Sequence, residues 1–237
     1  MTISVVIPAY NEEMYLGTCL QSIVDHKNSE VIEVIVVDNA STDETATIAK
    51  NFPGVRVVHE PTKGTGPARQ RSLSEARGTL LAFIDADTNI GPGWCETVTE
   101  IFAQDPAIVG ASGPYDYFDL PSWQRALIWF YWRFLVIPFS FITGPVVIGG
   151  NFIAKKSALQ AIGGFDTGIS FYGDDTNIAR RLKSVGTMRF DLRLLVRSSG
   201  RRLAEEGILR TGFRYVINYL SQSLLRRSVT RHYTDVR

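Results

Sequence analysis

Residues 80–88, Leu-Leu-Ala-Phe-Ile-Asp-Ala-Asp-Thr, constrain the fold more than any other stretch of this chain. An apolar run ends abruptly in two carboxylates one residue apart. It is bounded by Gly78 before and by Gly91-Pro92-Gly93 after, so it reads as a buried strand. In an open α/β sheet, ligands bind beyond the carboxyl ends of the strands, and Asp85 and Asp87 stand at such an end. Two adjacent carboxylates repel each other unless a cation or hydrogen-bond donors offset them. A hard divalent ion, itself bound to a phosphate, suits such a pair. Taken alone, the pair could equally be a strand-to-turn boundary that caps the next helix.

The residues before it repeat the same pattern. Ile3–Ile7 ends at Pro8, Val31–Val37 ends at Asp38, Val55–His59 is a third strand, and Ile108–Ala111 follows the 80s run. Between them lie helical spacings. These are Leu16, Cys19, Leu20, Ile23 and Val24; then Ala46, Ala49 and Phe52; then Ser72, Leu73 and Ala76 in a helix read as starting at Ala68; then Trp94, Val98, Ile101 and Phe102. Ser41 or Thr42 with Glu44 suits a helix N-cap. Strand and helix alternate through residues 1–112, which predicts a mostly parallel, doubly wound sheet with helices on both faces. Arg189–Val196 reads as one more strand, and residues 201–237 as a basic helical extension.

Composition narrows the setting. Of 237 residues, 45% are hydrophobic and 21% charged, which excludes a disordered chain. Two cysteines, Cys19 and Cys95, make neither a disulfide framework nor a metal set; with no basic leader before the first strand, this suggests a cytoplasmic protein. The net charge of +1 hides an asymmetry: residues 180–237 carry 14 Lys and Arg against 4 Asp and Glu. That end calls for an anionic neighbour, phosphate or acidic lipid, or is a solvated basic face. No recognition motif accompanies the charge, so nucleic acid is not an expected partner.

Residues 123–148 break the pattern. Trp123, Trp129 and Trp132 alternate with Phe130, Tyr131, Phe134, Phe139 and Phe141, and residues 134–154 carry no charge. Pro138, Gly144, Pro145, Gly149 and Gly150 divide the stretch, which argues against a spanning helix. Contact with a membrane surface or lipid acceptor, and contact with the core or a second subunit in a homodimer, both remain open.

Four polar clusters thus lie at strand or helix ends: 8–13, 38–43, 85–87 and 174–175. At these residues the sequence resembles the family 2 glycosyltransferases, the large GT-A-fold group. The matching stretches are Val6–Glu13, Val37–Thr45, Ala68-Arg69, Asp85-Ala86-Asp87, Gly163-Gly164-Phe165 and Gly173-Asp174-Asp175 with Arg180-Arg181-Leu182, in the family's order. The resemblance implies transfer of a single sugar from a nucleotide-diphospho-sugar, UDP-sugar by default, to a glycan or lipid-linked acceptor. It implies inversion and Mg²⁺ or Mn²⁺, in cell-envelope or polysaccharide biosynthesis, by an enzyme in the cytoplasm or peripheral on the inner face of the membrane. A retaining GT-A transferase and a non-catalytic nucleotide-binding or membrane-peripheral module are the alternatives. The Gln-x-x-Arg-Trp motif of processive members is missing, against a polymer synthase.

By the same resemblance, residues 1–112 form the nucleotide-sugar-binding half, residues 113–200 the acceptor and catalytic half of the same domain, and residues 201–237 the tail. Pro8, Ala9, Tyr10, Glu12, Asp38, Lys63, Arg69, Asp85 and Ala86 line the nucleotide; Arg69 could instead pair with an acid such as Asp85. Asp87 holds the metal, with His232 as a second ligand. Gly149, Gly150 and Asn151 approach the sugar or acceptor. Arg201 and Arg202 could hold the diphosphate. Asp175 is the expected base, with Asp174 beside it; the family usually has Glu-Asp here, so the base could be reassigned to Asp174.

Overall fold

A computed structural model describes residues 1–138, 145–169 and 173–225. Ten strands and nine helices are described, beginning with β1 (Ile3–Ala9), α1 (Leu16–His26), β2 (Val31–Asp38), α2 (Thr45–Asn51), β3 (Val55–His59), α3 (Thr65–Glu75) and β4 (Leu80–Ile84). Next come β5 (Thr88–Asn89), α4 (Trp94–Gln104), β6 (Ile108–Ser112), β7 (Tyr115–Tyr117) and α5 (Ser122–Tyr131), which runs on into one π-helical turn at Trp132–Val136. The remainder is β8 (Asn151–Lys155), α6 (Lys156–Ala161), α7 (Asp174–Lys183), β9 (Thr187–Phe190), β10 (Val196–Ser198), α8 (Arg201–Glu206) and α9 (Ile208–Leu225).

Seven strands form one sheet in the order β3-β2-β1-β4-β8-β6-β9. The first four are parallel, as the alternation predicts. Their residues alternate between two apolar layers, because successive side chains of a strand point to opposite faces. On β4, Leu80, Ala82 and Ile84 join Leu16, Leu20, Trp94 and Ile101 on one side, while Leu81 and Phe83 join Leu73, Leu159, Ile178 and Leu182 on the other. Helices α1, α2 and α4 cover the first face and α3, α6 and α7 the second.

The departure from a simple parallel sheet is β8. It lies between β4 and β6 and runs antiparallel to both, with Ile84 opposite Asn151. An antiparallel neighbour sets its amino end beside the carboxyl end of β4. Gly149 and Gly150 are therefore delivered to the sheet edge that carries Asp85. A three-stranded sheet, β5-β10-β7, closes the same edge.

Several sequence expectations need correction. The stretch 189–196 is not one strand: β9 ends at Phe190 in the large sheet, and β10 starts at Val196 in the small one. Asp191 makes the turn between them, accepting hydrogen bonds from Arg193. α3 begins at Thr65 rather than Ala68, and Val24 is exposed on α1. Ser41 and Thr42 do not cap α2. Glu44 stands at the N-cap position without a side-chain cap bond, Asp43 one residue earlier accepts from the Thr45 N–H at 3.0 Å, and Ser41 and Thr42 bond to Asn11.

Phe83 anchors the second layer, with its ring stacked on Phe152 (centroids 5.7 Å apart) and edge-on to Phe165 (5.1 Å). Phe83→Ala is expected to destabilise the fold by about 3–5 kcal/mol, read from urea unfolding; a loss below about 1 kcal/mol would show that the layer repacks freely.

Candidate active site

The carboxyl edge of the sheet is shaped first by two loops that hold each other. Asn11 and Ala40 adopt positive φ, 51° and 60°, which non-glycine residues take only when surrounding contacts require it. Those contacts are mutual: Asn11 N–H donates to Ser41 Oγ, Thr42 N–H to Asn11 Oδ1, and Glu12 N–H to Thr45 Oγ1. The carbonyl of Ala9 accepts from Asn39 N–H, so Pro8 and Ala9 form the rim of β1 beside Asp38. Asp38 is buried, accepts from Ser41 N–H, and lies 3.2 Å from His59 Nδ1. Asn39, which the sequence reading passed over, fixes the 60–64 loop by donating to the Glu60 and Thr62 carbonyls and accepting from Gly64 N–H. That loop places Lys63 Nζ 4.4 Å from the centre of the Tyr10 ring and 2.8 Å from its hydroxyl.

Beside this rim stand the two carboxylates that follow β4. Asp85 Oδ2 accepts from the Tyr115 hydroxyl (3.1 Å), and its backbone N–H donates to Gly150 O. Asp87 is held by Arg201, whose Nη2 lies 3.1 Å from Asp87 Oδ2 and also pairs with Glu12. Burial, then the negative charges of Asp85 and Glu12, push Asp87 up to about 7, against the lowering effect of Arg201. Burial, then the charges of Asp85 and Asp87, raise the hydroxyls of Tyr115 and Tyr117. Negative charge thus exceeds positive charge at this point.

The third part of the site joins distant segments. Arg69, on α3, is only 5% exposed. Its Nη1 donates to Asp174 Oδ2 (2.7 Å) and Asp175 Oδ1 (3.2 Å), while Nη2 stands 3.9 Å from Asp85 Oδ1. One guanidinium therefore links the acids of α7 to the acid of β4. Gly149 N–H donates to Asp175 Oδ2 at 3.0 Å. A Cβ on Gly149 would collide with Asp175 and Arg69, and one on Gly150 with Asp85 and the Tyr115 hydroxyl. The two glycines are the space in which the two acidic pairs meet.

The paired acids differ. Asp174 also accepts from Thr65 Oγ1 and from Asp175 N–H, and its side chain is 15% exposed. Asp175 is more open, at 35%. Burial and the Asp174 charge push it up to about 7, while Arg69 and the Gly149 N–H act to lower it.

The expected residues thus fall into groups. Pro8, Ala9, Tyr10, Glu12, Asp38, Lys63, Arg69, Asp85, Asp87, Gly149, Gly150, Asp174, Asp175 and Arg201 all lie along this one edge. The alternative reading of Arg69, pairing with acids, is the one observed. Asn151 is placed differently from its expected role: its side chain is fully buried, accepting from Trp94 Nε1 and donating to the Leu194 carbonyl. Ala86 packs into the apolar core with its side chain out of the cleft. Arg202 pairs with Glu206 on its own helix, whereas its neighbour Arg201 reaches Asp87. His232 lies outside the described residues. Tyr115 and Thr65 were missed, Tyr115 because a three-residue strand carries no readable periodicity.

The donors suit a hard cation. Asp85 and Asp87 offer carboxylate oxygens, and burial among like charges is relieved by positive charge. Among the described residues no group of three or more His, Cys, Asp or Glu is arranged as a metal cage. A Mg²⁺-like ion needs only one or two carboxylates when phosphate and water supply the rest.

The family model for glycosyl transferase family 2 matches residues 4–163. This chain belongs to that family. Family relatives include the uncharacterized glycosyltransferase YibD of Escherichia coli K12, 35% identical over 107 residues that span 44% of this chain and 31% of that protein. Another is glycosyltransferase GlyG of Streptococcus pneumoniae, 32% identical over 120 residues, 48% of this chain and 40% of GlyG. Such matches cover about a third of the length of the first of these curated relatives. The fold is GT-A. A mannosyltransferase from Pyrobaculum calidifontis, solved with GDP-Man and Mn²⁺, superposes with a TM-score of 0.74 at 22% identity, covering 94% of this chain and 63% of that one. Glucosyl-3-phosphoglycerate synthase from Mycobacterium tuberculosis, solved with Mn²⁺, UDP-glucose and phosphoglyceric acid, gives 0.67 at 24% identity over 94% and 79%. The family match ends before Asp174 and Asp175, so that pair rests on the geometry of this fold alone.

Removing the bridging cation isolates its role. Arg69→Ala leaves two neighbouring carboxylates without their counter-charge and is expected to cost about 3 kcal/mol of stability, with Arg69→Lys recovering part. Urea unfolding at neutral pH checks this, and an unchanged Arg69→Ala midpoint would contradict the bridge.

Proposed function

We propose that this chain transfers a single sugar from a nucleotide-diphospho-sugar, UDP-sugar by default, to an acceptor hydroxyl with inversion at the anomeric carbon. The observation that carries the reading is the meeting of Asp85 and Asp87 with Asp174 and Asp175 across Gly149 and Gly150. One pair suits the leaving group and the other the incoming one. The donors bound in the two structural relatives, GDP-Man and UDP-glucose, support a nucleotide sugar as the donor class.

In this reading Pro8, Ala9, Tyr10, Asp38 and Lys63 receive the nucleoside. Tyr10 presents a flat ring, Lys63 a cation, and Asp38 an acceptor for base N–H or ribose hydroxyl. Asp87, with Asp85 beside it, holds Mg²⁺ or Mn²⁺. When bound, such an ion neutralises charge developing on the departing diphosphate. Arg201 stands next to Asp87 as a second cation for that diphosphate. On the opposite side of the sugar, Asp175 accepts the proton of the acceptor hydroxyl. The new bond forms from that oxygen to the anomeric carbon, and the bond to the diphosphate oxygen breaks with its electron pair leaving on the diphosphate.

Asp175 suits a base better than Asp174. Asp174 is committed to Arg69, Thr65 and the start of α7, whereas Asp175 is more open and its pKa sits near the working range of a base. The acceptor is read as a glycan or a lipid-linked hydroxyl.

Asp175→Asn is expected to lower kcat by about 10²–10⁴ with little change in donor KM. The base must be ionised to act, so kcat/KM of the unaltered protein should fall as pH drops through about 7. Transfer assays with anomeric analysis of the product test both. An Asn variant with full rate would overturn the base assignment, and a product that retains the donor's configuration would overturn inversion.

A further inference from the structure

Helix α5 is unusual for a helix so rich in apolar side chains: none of its ten residues is buried. Trp123, Leu127 and Phe130, followed by Phe134 in the π-helical turn, recur at helical spacing along one stripe. They are 66%, 54%, 53% and 54% exposed. The Phe130 and Phe134 rings lie 4.6 Å apart, so the stripe is continuous. Other side chains fasten the helix to the body of the protein. Arg125 makes a two-pronged ion pair with Asp116 of β7, and Trp132 stacks on Phe190 of β9. The stripe is thus held outward by the fold. Exposed apolar patches of this kind mark interaction surfaces.

Charge decides between occupants. Trp123 lines the same groove as Arg210 of α9, and Arg133 is exposed beside Phe134. A second copy docking by two-fold symmetry would press these cations against each other. An anionic lipid surface takes the aromatic rings at its interface and the arginines at its headgroups. No described helix is long and apolar enough to cross a membrane.

We propose that the aromatic stripe of α5, flanked by the exposed Arg133 and by Arg210 of α9, docks this protein onto an anionic lipid bilayer, the stripe lying in the interface. Asp116, which anchors α5, neighbours Tyr115, and Tyr115 touches Asp85, so docking sets the cleft close to the lipid surface. That the bilayer presents the acceptor rests on the transferase reading; the docking itself does not.

The test is co-sedimentation of the full chain with vesicles of phosphatidylcholine alone and of phosphatidylcholine with phosphatidylglycerol, without nucleotide. The unaltered protein should pellet with the anionic vesicles, with a blue shift of tryptophan fluorescence, and bind less as salt is raised. The double variant Trp123→Glu/Phe130→Glu should lose about tenfold or more in partitioning, with unchanged circular dichroism, and Arg210→Glu should weaken anionic binding selectively. Protein that stays in the supernatant with both vesicles overturns the proposal. So does a dimer, seen by sedimentation velocity, that the double variant dissociates while vesicle binding persists. Sugar transfer to a soluble acceptor is read separately, so failure of docking and failure of the transferase reading are distinct results.

Discussion

A single guanidinium holds this site together. Arg69 reaches the site from α3, whose modest apolar face would otherwise mark it as an ordinary packing helix, and it lies almost wholly buried among acids from two other parts of the chain. Burial works against its charge, yet Asp174, Asp175 and Asp85 raise its pKa further. A buried cation of this kind is sustained only by acids in direct contact, and those acids are tolerated at close range only because of it. The acid pairs of β4 and α7, some ninety residues apart in sequence, are mutually dependent through one side chain.

The backbone makes that arrangement possible. β8 runs antiparallel between β4 and β6, so the chain enters it from the edge where Asp85 stands. Gly149 and Gly150 occupy that entry, where any side chain would displace an acid, Arg69 or Tyr115. Asn151, one residue on, turns inward and ties Trp94 to Leu194. The division between Gly-Gly and Asn is thus one between open space for the site and a fastening beneath it. The GT-A architecture and the local chemistry agree: the parallel half ends in a polar rim, the strand that reverses brings Gly149 and Gly150 beside Asp85, and Arg69 joins that acid to the pair at the start of α7.

Legibility in the sequence followed the length of each signal. The parallel half could be read because each of its strands is a five- to eight-residue apolar run followed by helical spacing. Asp85, Asp87 and Asp174-Asp175 could be read because acids at element ends are visible without knowing the fold. The small sheet could not: β5, β7 and β10 have two or three residues each, too short for any period, and Tyr115 was hidden there. The reach of Arg201 to Asp87, and the failure of Arg202 to follow, depends on which face of α8 turns inward, a tertiary fact with no local trace. Asn39 shows the same limit, since its role is set by a loop twenty residues away.

The central claim is that two acidic pairs divide one reaction, the Asp85/Asp87 side taking the metal and diphosphate and Asp175 taking the proton. Thermal stabilisation by UDP, GDP and dTDP, with and without Mn²⁺, addresses it most directly when Asp87→Ala and Asp175→Asn are measured beside the unaltered protein. The account predicts a Mn²⁺-dependent rise in melting temperature with one nucleotide, kept in Asp175→Asn and lost in Asp87→Ala. A rise that needs no metal, or that survives Asp87→Ala and disappears in Asp175→Asn, would contradict it.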